Sequence, residues 1–315
     1  MRATRLQGTW PGWGLGVLAV LLSVWGGDHL LGQAAFVATY AIAGLGVVLI
    51  VGQCGQISLG QGALLALGAY AQTLLVQRGV PAVLALPCAV ALGALGGWVA
   101  ALPARRLGGL YFAMSTLAFA LIVEEGLVRA EGLTRGSAGL AVPSFALPGW
   151  QASTPSGQFL VSALALALAW WACRRWCGAR IGRAWRAVRE DESAAAACGV
   201  DPQQAKSRAF VLGGGLSGLA GALYAHWIGF ISPEQFGLFL SFELLMLAFI
   251  GGVRHLSGAL WGALVIVAIP QAIALARDAL PAELARSAGL EAMLFGVVVV
   301  AVILFRPQGI AAGRS

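Results

Sequence analysis

The sequence predicts an all-α polytopic membrane protein, because it is rich in apolar residues, has long apolar runs and distributes its arginines unevenly. Hydrophobic residues make up 59% of the 315 residues and charged residues only 10%, and the mean hydropathy is +0.83. Soluble proteins carry roughly 25% charged residues. The chain therefore has too little polar surface to coat a soluble body of this size.

The apolar runs are continuous, which favours spanning helices over the alternating strands of a membrane barrel. Examples are "FLVSALALALAWWA" and "GVVVVAVILF". A helix satisfies its own backbone polar groups in lipid, and each span needs about 20 apolar residues. We predict a single transmembrane domain over residues 1–315 with about ten helices. They lie near residues 13–27, 34–51, 57–77, 82–102, 108–127, 157–173, 209–230, 238–252, 256–276 and 289–305.

The arginines predict the orientation of these helices, because cytosolic loops carry an excess of Lys and Arg. If both termini are cytosolic, the inside loops hold Arg2, Arg5, Arg105, Arg106, Arg174, Arg175, the basic residues of 180–208, Arg254, Arg306 and Arg314. The outside loops then hold only Arg78, Arg129, Arg135, Arg277 and Arg286. The longest outside segment, 129–156, is rich in Gly, Pro and Ser, which predicts a loop or short elements.

Charged residues are concentrated in the segment 180–208. The charged residues there are Arg180, Arg183, Arg186, Arg189, Glu190, Asp191, Glu192, Asp201, Lys206 and Arg208. Each charge at the bilayer centre costs about 2.5–3.5 kcal/mol, so this segment lies outside the hydrocarbon. We predict a helix over 184–198, a turn at Gly199, and a second helix that starts at Pro202 and enters the membrane. A folded polar element on the cytosolic face suggests that something docks there.

The segment "GQCGQISLGQGALLALGAY" combines glycines with the polar residues Gln53, Gln56, Ser58 and Gln61. Small and polar residues serve helix packing and interhelical hydrogen bonds in membranes. They also occur where a broken helix lines a cavity. Both interpretations, packing and the lining of a translocation path, remain open from the sequence.

Acidic residues inside apolar runs are functional candidates. Glu124, Glu125 and Glu291 lie near predicted helix ends, whereas Glu243 lies deepest in its run. Glu243 could face a polar path, or it could be paired or protonated. A proton-coupled carrier would need such a residue.

No nucleotide or metal motif is present. The only lysine is Lys206, and no GxxxxGK[ST] phosphate loop precedes it, so any ATP must be held by another chain. The histidines are dispersed, and we expect no metal site.

Several blocks resemble the permease subunits of the branched-chain amino-acid ABC importers, the Liv-type family. They are "GQCGQISLGQGALLALGAY" (52–70), "GGLYFAMSTLAFALI" (108–122), "LTRGSAGLAVP" (133–143), "GRAWRAVREDESAAAACGVDPQQAKSRAFVLGGGLSGLAGALYA" (182–225), "ISPEQF" (231–236), "SFELLMLAFIGGVRHLSGALWGALV" (241–265) and "LFRPQGI" (304–310). They run through most of the chain in the family's order. The chain departs from the pattern at Gln61 and Leu64, where the family often has His and Phe.

The resemblance implies an inner-membrane permease without enzymatic activity that works by alternating access. A second, homologous permease, two cytosolic ATPases that hold ATP and Mg²⁺, and an external binding protein would be its partners, alongside membrane lipid and without nucleic acid. The charged segment would act as a coupling helix, with Arg186, Arg189, Glu190, Asp191, Glu192 and Gly199 at the ATPase interface. The substrate path would include Gln53, Gln56, Ser58, Gln61, Ser115, Thr116 and Glu243.

Other functions remain open. Related ABC importers carry urea, amides or aromatic acids. A proton-coupled secondary carrier using Glu243 and a passive channel are further alternatives. A membrane enzyme is disfavoured, because no convergent set of His, Asp, Glu or Cys is seen in the sequence.

Overall fold

The chain folds into a bundle of long helices joined by short loops, as seen in a computed structural model. The structure describes residues 27–105, 107–147, 150–152 and 154–278, and short pieces at 296–297, 300 and 309–311. The predicted helices at 13–27 and 289–305 lie outside the continuously described residues. The prediction of an all-α polytopic protein is confirmed.

The long helices are α1 (Asp28–Val47, continued by a π-helical turn at Val48–Gln53), α2 (Gln61–Gln77), α3 (Ala82–Ala101, followed by a 3₁₀ turn at Leu102–Arg105), α4 (Gly109–Arg129), α6 (Pro155–Gly178), α9 (Pro202–Ile228), α10 (Leu238–Gly251) and α11 (Leu256–Asp278). Short helices are α5 (Glu131–Thr134), α7 (Arg180–Glu190) and α8 (Glu192–Ala197), with 3₁₀ turns at Gly136–Ala138 and Pro233–Phe236. Six segments in the described part of the chain are long and apolar enough to cross a membrane: Asp28–Gln53, Ala82–Ala104, Gly109–Arg129, Pro155–Gly178, Pro202–Ile228 and Pro233–Gly251.

Among the described residues, the strands are short and lie in the loops between helices. β1 (Leu140–Ala141) pairs antiparallel with β4 (Phe230–Ile231), and β2 (Ala146–Leu147) pairs with β3 (Trp150–Gln151). The segment 129–156 is thus made of short elements, as predicted. Its pairing with β4 ties it to the end of α9.

Local capping explains where several helices start. The Thr154 hydroxyl accepts a hydrogen bond from the Gly157 N–H at the start of α6, and Asp201 accepts from the Gln203 and Gln204 N–H groups at the start of α9. Pro202 occupies the first turn of α9, where its missing N–H costs nothing. The predicted helix that begins at Pro202 is therefore observed as one continuous helix, Pro202–Ile228.

Close glycine contacts hold α9 in the centre of the bundle against α2 and α3. A β-carbon at Gly68 of α2 would lie 2.1 Å from the Gly218 carbonyl oxygen, and one at Gly93 of α3 would lie 2.4 Å from that of Gly214. Small residues allow such backbone approach between membrane helices. The glycine-rich runs of the sequence therefore serve packing at these positions.

Candidate functional site

The charged segment forms two helices, α7 and α8, and not the single helix predicted over 184–198. Asp191 breaks the helix with an extended backbone, φ −159° and ψ 115°. Its carboxylate accepts hydrogen bonds from the N–H groups of Ser193 at 2.8 Å and Ala194 at 3.0 Å. A side-chain cap of this kind starts a new helix, so the prediction of continuity was wrong.

Arg189 joins α7 to the last turn of the α1 span. Its Nη1 donates to the carbonyl oxygen of Gly52 at 2.5 Å. Gly55 follows with φ +75°, and a β-carbon there would lie 2.6 Å from Cγ of Arg189. Burial and the nearby Arg254 lower the pKa of Arg189. We call this contact between Arg189 and residues 52–55 the α7 junction.

The turn between α10 and α11 completes the α7 junction. Nε2 of Gln53 donates to the carbonyl oxygen of Arg254 at 3.1 Å. A β-carbon at Gly52 would lie 1.8 Å from the Val253 carbonyl oxygen, so only glycine fits there. The structure thus places Gln53 at the junction of three elements.

The other charged candidates also make contacts within the chain. Nη1 of Arg186 donates to the Cys177 carbonyl oxygen at 3.1 Å. Glu192 pairs with the buried Lys206 at 2.7 Å. Gly199 has φ +82° and forms the predicted turn, whereas Glu190 is exposed.

Hydroxyl groups from three helices surround the segment that precedes α2. We call Ser58, Thr116, Ser217 and Ser241 the hydroxyl cluster. The Leu59 N–H donates to Oγ1 of Thr116 at 3.0 Å, and the Gly60 N–H donates to Oγ of Ser58 at 3.3 Å. Gly60 is the N-cap of α2, which therefore starts at Gln61 and not at 57 as predicted.

Gln61 and Gly62 join the first turn of α2 to α9 and α10. Oγ of Ser217 donates to Oε1 of Gln61 at 2.9 Å, and the Gly62 N–H donates to Oγ of Ser241 at 2.9 Å. Gln61 is fully buried, and its Nε2 has no hydrogen-bond partner among the described residues. Ser217 and Ser241 were missed from the sequence, where single hydroxyls inside apolar runs are the only signal.

The remaining predicted path residues lie near these groups or on α10. Gln56 is buried beside the α7 junction, and its N–H donates to the Ile50 carbonyl oxygen. Ser115 donates to the Phe112 carbonyl oxygen within α4 at 2.8 Å. Glu243 lies half-buried on α10, and no hydrogen bond joins its side chain to the hydroxyl cluster. The predicted path residues therefore fall into three groups. Gln53 and Gln56 lie at or beside the α7 junction, Glu243 lies on α10, and the others lie at or near the hydroxyl cluster.

Among the described residues, no group of three or more His, Cys, Asp and Glu side chains could hold a metal ion. What these residues offer is a polar interior and a folded, charged helix pair outside the spanning helices. This arrangement defines a polytopic helical membrane protein.

The family follows from sequence comparison. Residues 29–305 match the family described as branched-chain amino acid transport system / permease component, and the chain belongs to this family. It is a multi-pass transport subunit of the inner membrane and not an enzyme, since the family's members are permease components.

Individual relatives are also named as branched-chain amino acid transport permeases. The chain is similar to the permease protein LivM of Escherichia coli K12, with 31% identity over 303 residues that cover 88% of this chain and 68% of LivM. It is also similar to LivH of Salmonella typhimurium, 26% identical over 73% of this chain and 80% of LivH. BraD of Pseudomonas aeruginosa is 25% identical over 87% of this chain and 91% of BraD. No solved structure matches the chain.

Proposed function

We propose that this chain is the permease subunit of an ABC importer that moves branched-chain amino acids across the cytoplasmic membrane by alternating access. The three relatives are named as high-affinity branched-chain amino acid transport permeases. The observation that carries the mechanism is the hydrogen bond from Arg189 to Gly52, because it ties a charged helix to a spanning helix.

The α7–α8 pair, within residues 180–208, acts as the coupling region for the ATPases. Glu190 is exposed and available to a partner. Arg186, Arg189, Asp191, Glu192 and Gly199 shape and anchor the pair through the contacts described above. A push on α7 would thus reach the π-helical turn of α1, and π-turns are frequent at functional sites.

The partners are a second permease, two ATPases that hold ATP and Mg²⁺, and an external binding protein. The similarity to both LivM and LivH supports a second, homologous permease. The lack of a phosphate loop in the sequence supports separate ATPase chains. ATP binding would draw the two coupling regions together and open the path to one side at a time.

The permease is one domain of about ten spans with both termini in the cytosol. The N–H groups of Ile310 and Ala311 donate to the carbonyl oxygens of Ile250 and Gly251. These residues end α10 next to the α7 junction, which supports a C-terminal segment on the same side as α7.

The substrate path includes Gln53, Gln56, Ser58, Gln61, Ser115, Thr116 and Glu243. Among them, Nε2 of the buried Gln61 has no acceptor in the described part of the chain, and a rearrangement of α2, α9 and α10 could supply one. The hydroxyl cluster links those helices and would move with them.

The function is tested by purifying the complete transporter with its neighbouring ATPase and binding-protein subunits and reconstituting it in proteoliposomes. We expect ATP-dependent uptake of radiolabelled leucine in the presence of the binding protein. Uptake that needs a proton gradient and persists without ATP would contradict the proposal. Ligand screening of the binding protein separates leucine from urea, amides and aromatic acids.

A further inference from the structure

Aromatic rings from two spanning helices and a 3₁₀ turn meet on one side of the bundle. Tyr224 of α9 lies at the centre. Its ring centroid is 6.4 Å from that of Phe36, 6.3 Å from that of Tyr40 and 5.9 Å from that of Phe236. We call Phe36, Tyr40, Tyr224 and Phe236 the aromatic cluster.

Glu243 of α10 lies beside this cluster. A β-carbon at Gly44 would lie 2.6 Å from Cδ2 of Leu247, so α1 and α10 touch at this level. Tyr40 lies four residues before Gly44, and Glu243 lies four residues before Leu247. Each therefore shares the helix face of the residue that makes this contact. The Glu243 side chain accordingly lies at the level of Tyr40, beside the aromatic cluster.

The polar side chains of this site are partly exposed, and the carboxylate has no partner among the described residues. Tyr40, Tyr224 and Glu243 are all half-buried, and no hydrogen bond or ion pair joins the Glu243 side chain to any residue the structure describes. Tyr40 is about 18 Å along the helix axis from Asp28 at 1.5 Å per residue. This depth is well inside a spanning segment, where a carboxylate faces a polar path or a ligand and not lipid.

We propose that Glu243 and the aromatic cluster form the site that binds the amino group of the transported amino acid. This inference rests on the proposed function and names a recognition site within it. The carboxylate accepts hydrogen bonds from the substrate ammonium, and the Tyr224 ring offers its negative face to the same charge. The half-buried Phe36 supplies apolar surface for a branched aliphatic side chain, and the buried Phe236 packs against Tyr224.

The test uses the complete transporter in proteoliposomes with a saturating concentration of leucine-loaded binding protein. Leucine uptake and ATP hydrolysis are measured together for the wild type, Glu243→Gln, Glu243→Asp and Tyr224→Phe. The control is Glu234→Gln, which makes the same change at an exposed glutamate of the nearby 3₁₀ turn. Assembly of each variant is checked by gel filtration in detergent.

We expect Glu243→Gln to lower the leucine transported per ATP by about tenfold, the low end for a hydrogen bond to a charged group, with stimulated ATP hydrolysis retained. Glu243→Asp should recover part of this ratio, Tyr224→Phe should lower it less, and the control should match the wild type. An unchanged ratio in Glu243→Gln would overturn the inference. So would a variant that fails to assemble with its partner permease, which would make Glu243 a subunit contact. Absence of leucine uptake by the wild type would instead overturn the proposed function.

Discussion

The guanidinium of Arg189 and the carbonyl oxygen of Gly52 are 2.5 Å apart, although the two residues belong to different helices far apart in the sequence. This contact joins the charged helix α7 to the π-helical end of α1. Gly55 allows it, since its missing side chain leaves room for the stem of Arg189. Motion of α7 therefore has a direct route into the membrane part of the chain.

Replacing Arg189 by Gln should uncouple transport from ATP hydrolysis. The shorter side chain cannot reach Gly52, and a charge-assisted hydrogen bond of about 1.5–3 kcal/mol is lost. We expect leucine uptake in proteoliposomes to fall at least about tenfold while ATP hydrolysis continues. Arg180→Gln, at an exposed position of α7, is the control, and equal losses in the two variants would argue against the junction.

Replacing Gly55 by Ala should weaken the α7 junction more than replacing Gly199. Both glycines have positive φ, +75° and +82°, so each alanine costs roughly 1–2 kcal/mol of backbone strain. Only at Gly55 would the new β-carbon meet Arg189, at 2.6 Å, which adds about 1–3 kcal/mol. In detergent, the melting temperature of Gly55→Ala should be lower than that of Gly199→Ala. The reverse order would show that Arg189 of α7 does not pack against Gly55.

Removing Glu192 should destabilise the protein more than removing Lys206. Lys206 is 2% exposed, so Glu192→Ala leaves a buried ammonium without its partner and costs about 2 kcal/mol. The Glu192 side chain is 47% exposed and can be solvated in Lys206→Met, which should lose less stability. Midpoints of thermal unfolding for both variants decide the order, and a larger loss in Lys206→Met would contradict it.

Replacing Gly93 by Ala should disrupt the packing of α3 on α9. The new β-carbon would lie 2.4 Å from the Gly214 carbonyl oxygen, and overpacking costs about 1–3 kcal/mol. Gly126→Ala in α4 meets nothing within 4 Å and should leave stability unchanged or raise it by up to about 1 kcal/mol. The yield and melting temperature of purified protein measure both, and indifference to Gly93→Ala would refute the close contact.

Six of the ten predicted spans coincide with helices long and apolar enough to cross a membrane, because apolar runs of the right length are a local property of the sequence. Helix boundaries were less predictable. Just before α2, the Leu59 N–H donates to Oγ1 of Thr116, which lies far along the chain, and no local pattern reveals that contact. The helix break at Asp191 could have been predicted from the sequence, since Asp followed by a helix-forming run is an N-cap signal.

The sequence singled out candidate residues but did not predict their contacts. Gln61 and Glu243 stand out as polar groups in apolar runs, and Arg189 stands out in a charged segment. That Arg189 reaches Gly52 and that Ser217 reaches Gln61 depends on how distant helices pack. Periodicity reports which face is buried and not which residue it meets.

The proposed mechanism places α7 and α8 in the cytosol, where a separate ATPase holds them. It is tested most directly by Glu190→Cys in a chain whose exposed cysteines, Cys88 and Cys198, are replaced by Ser. We expect the new thiol to be labelled by an impermeant maleimide only from the cytosolic side and to cross-link to the ATPase subunit in the intact complex. Labelling from the external side, or an assembled complex with no cross-link to the ATPase, would contradict the claim.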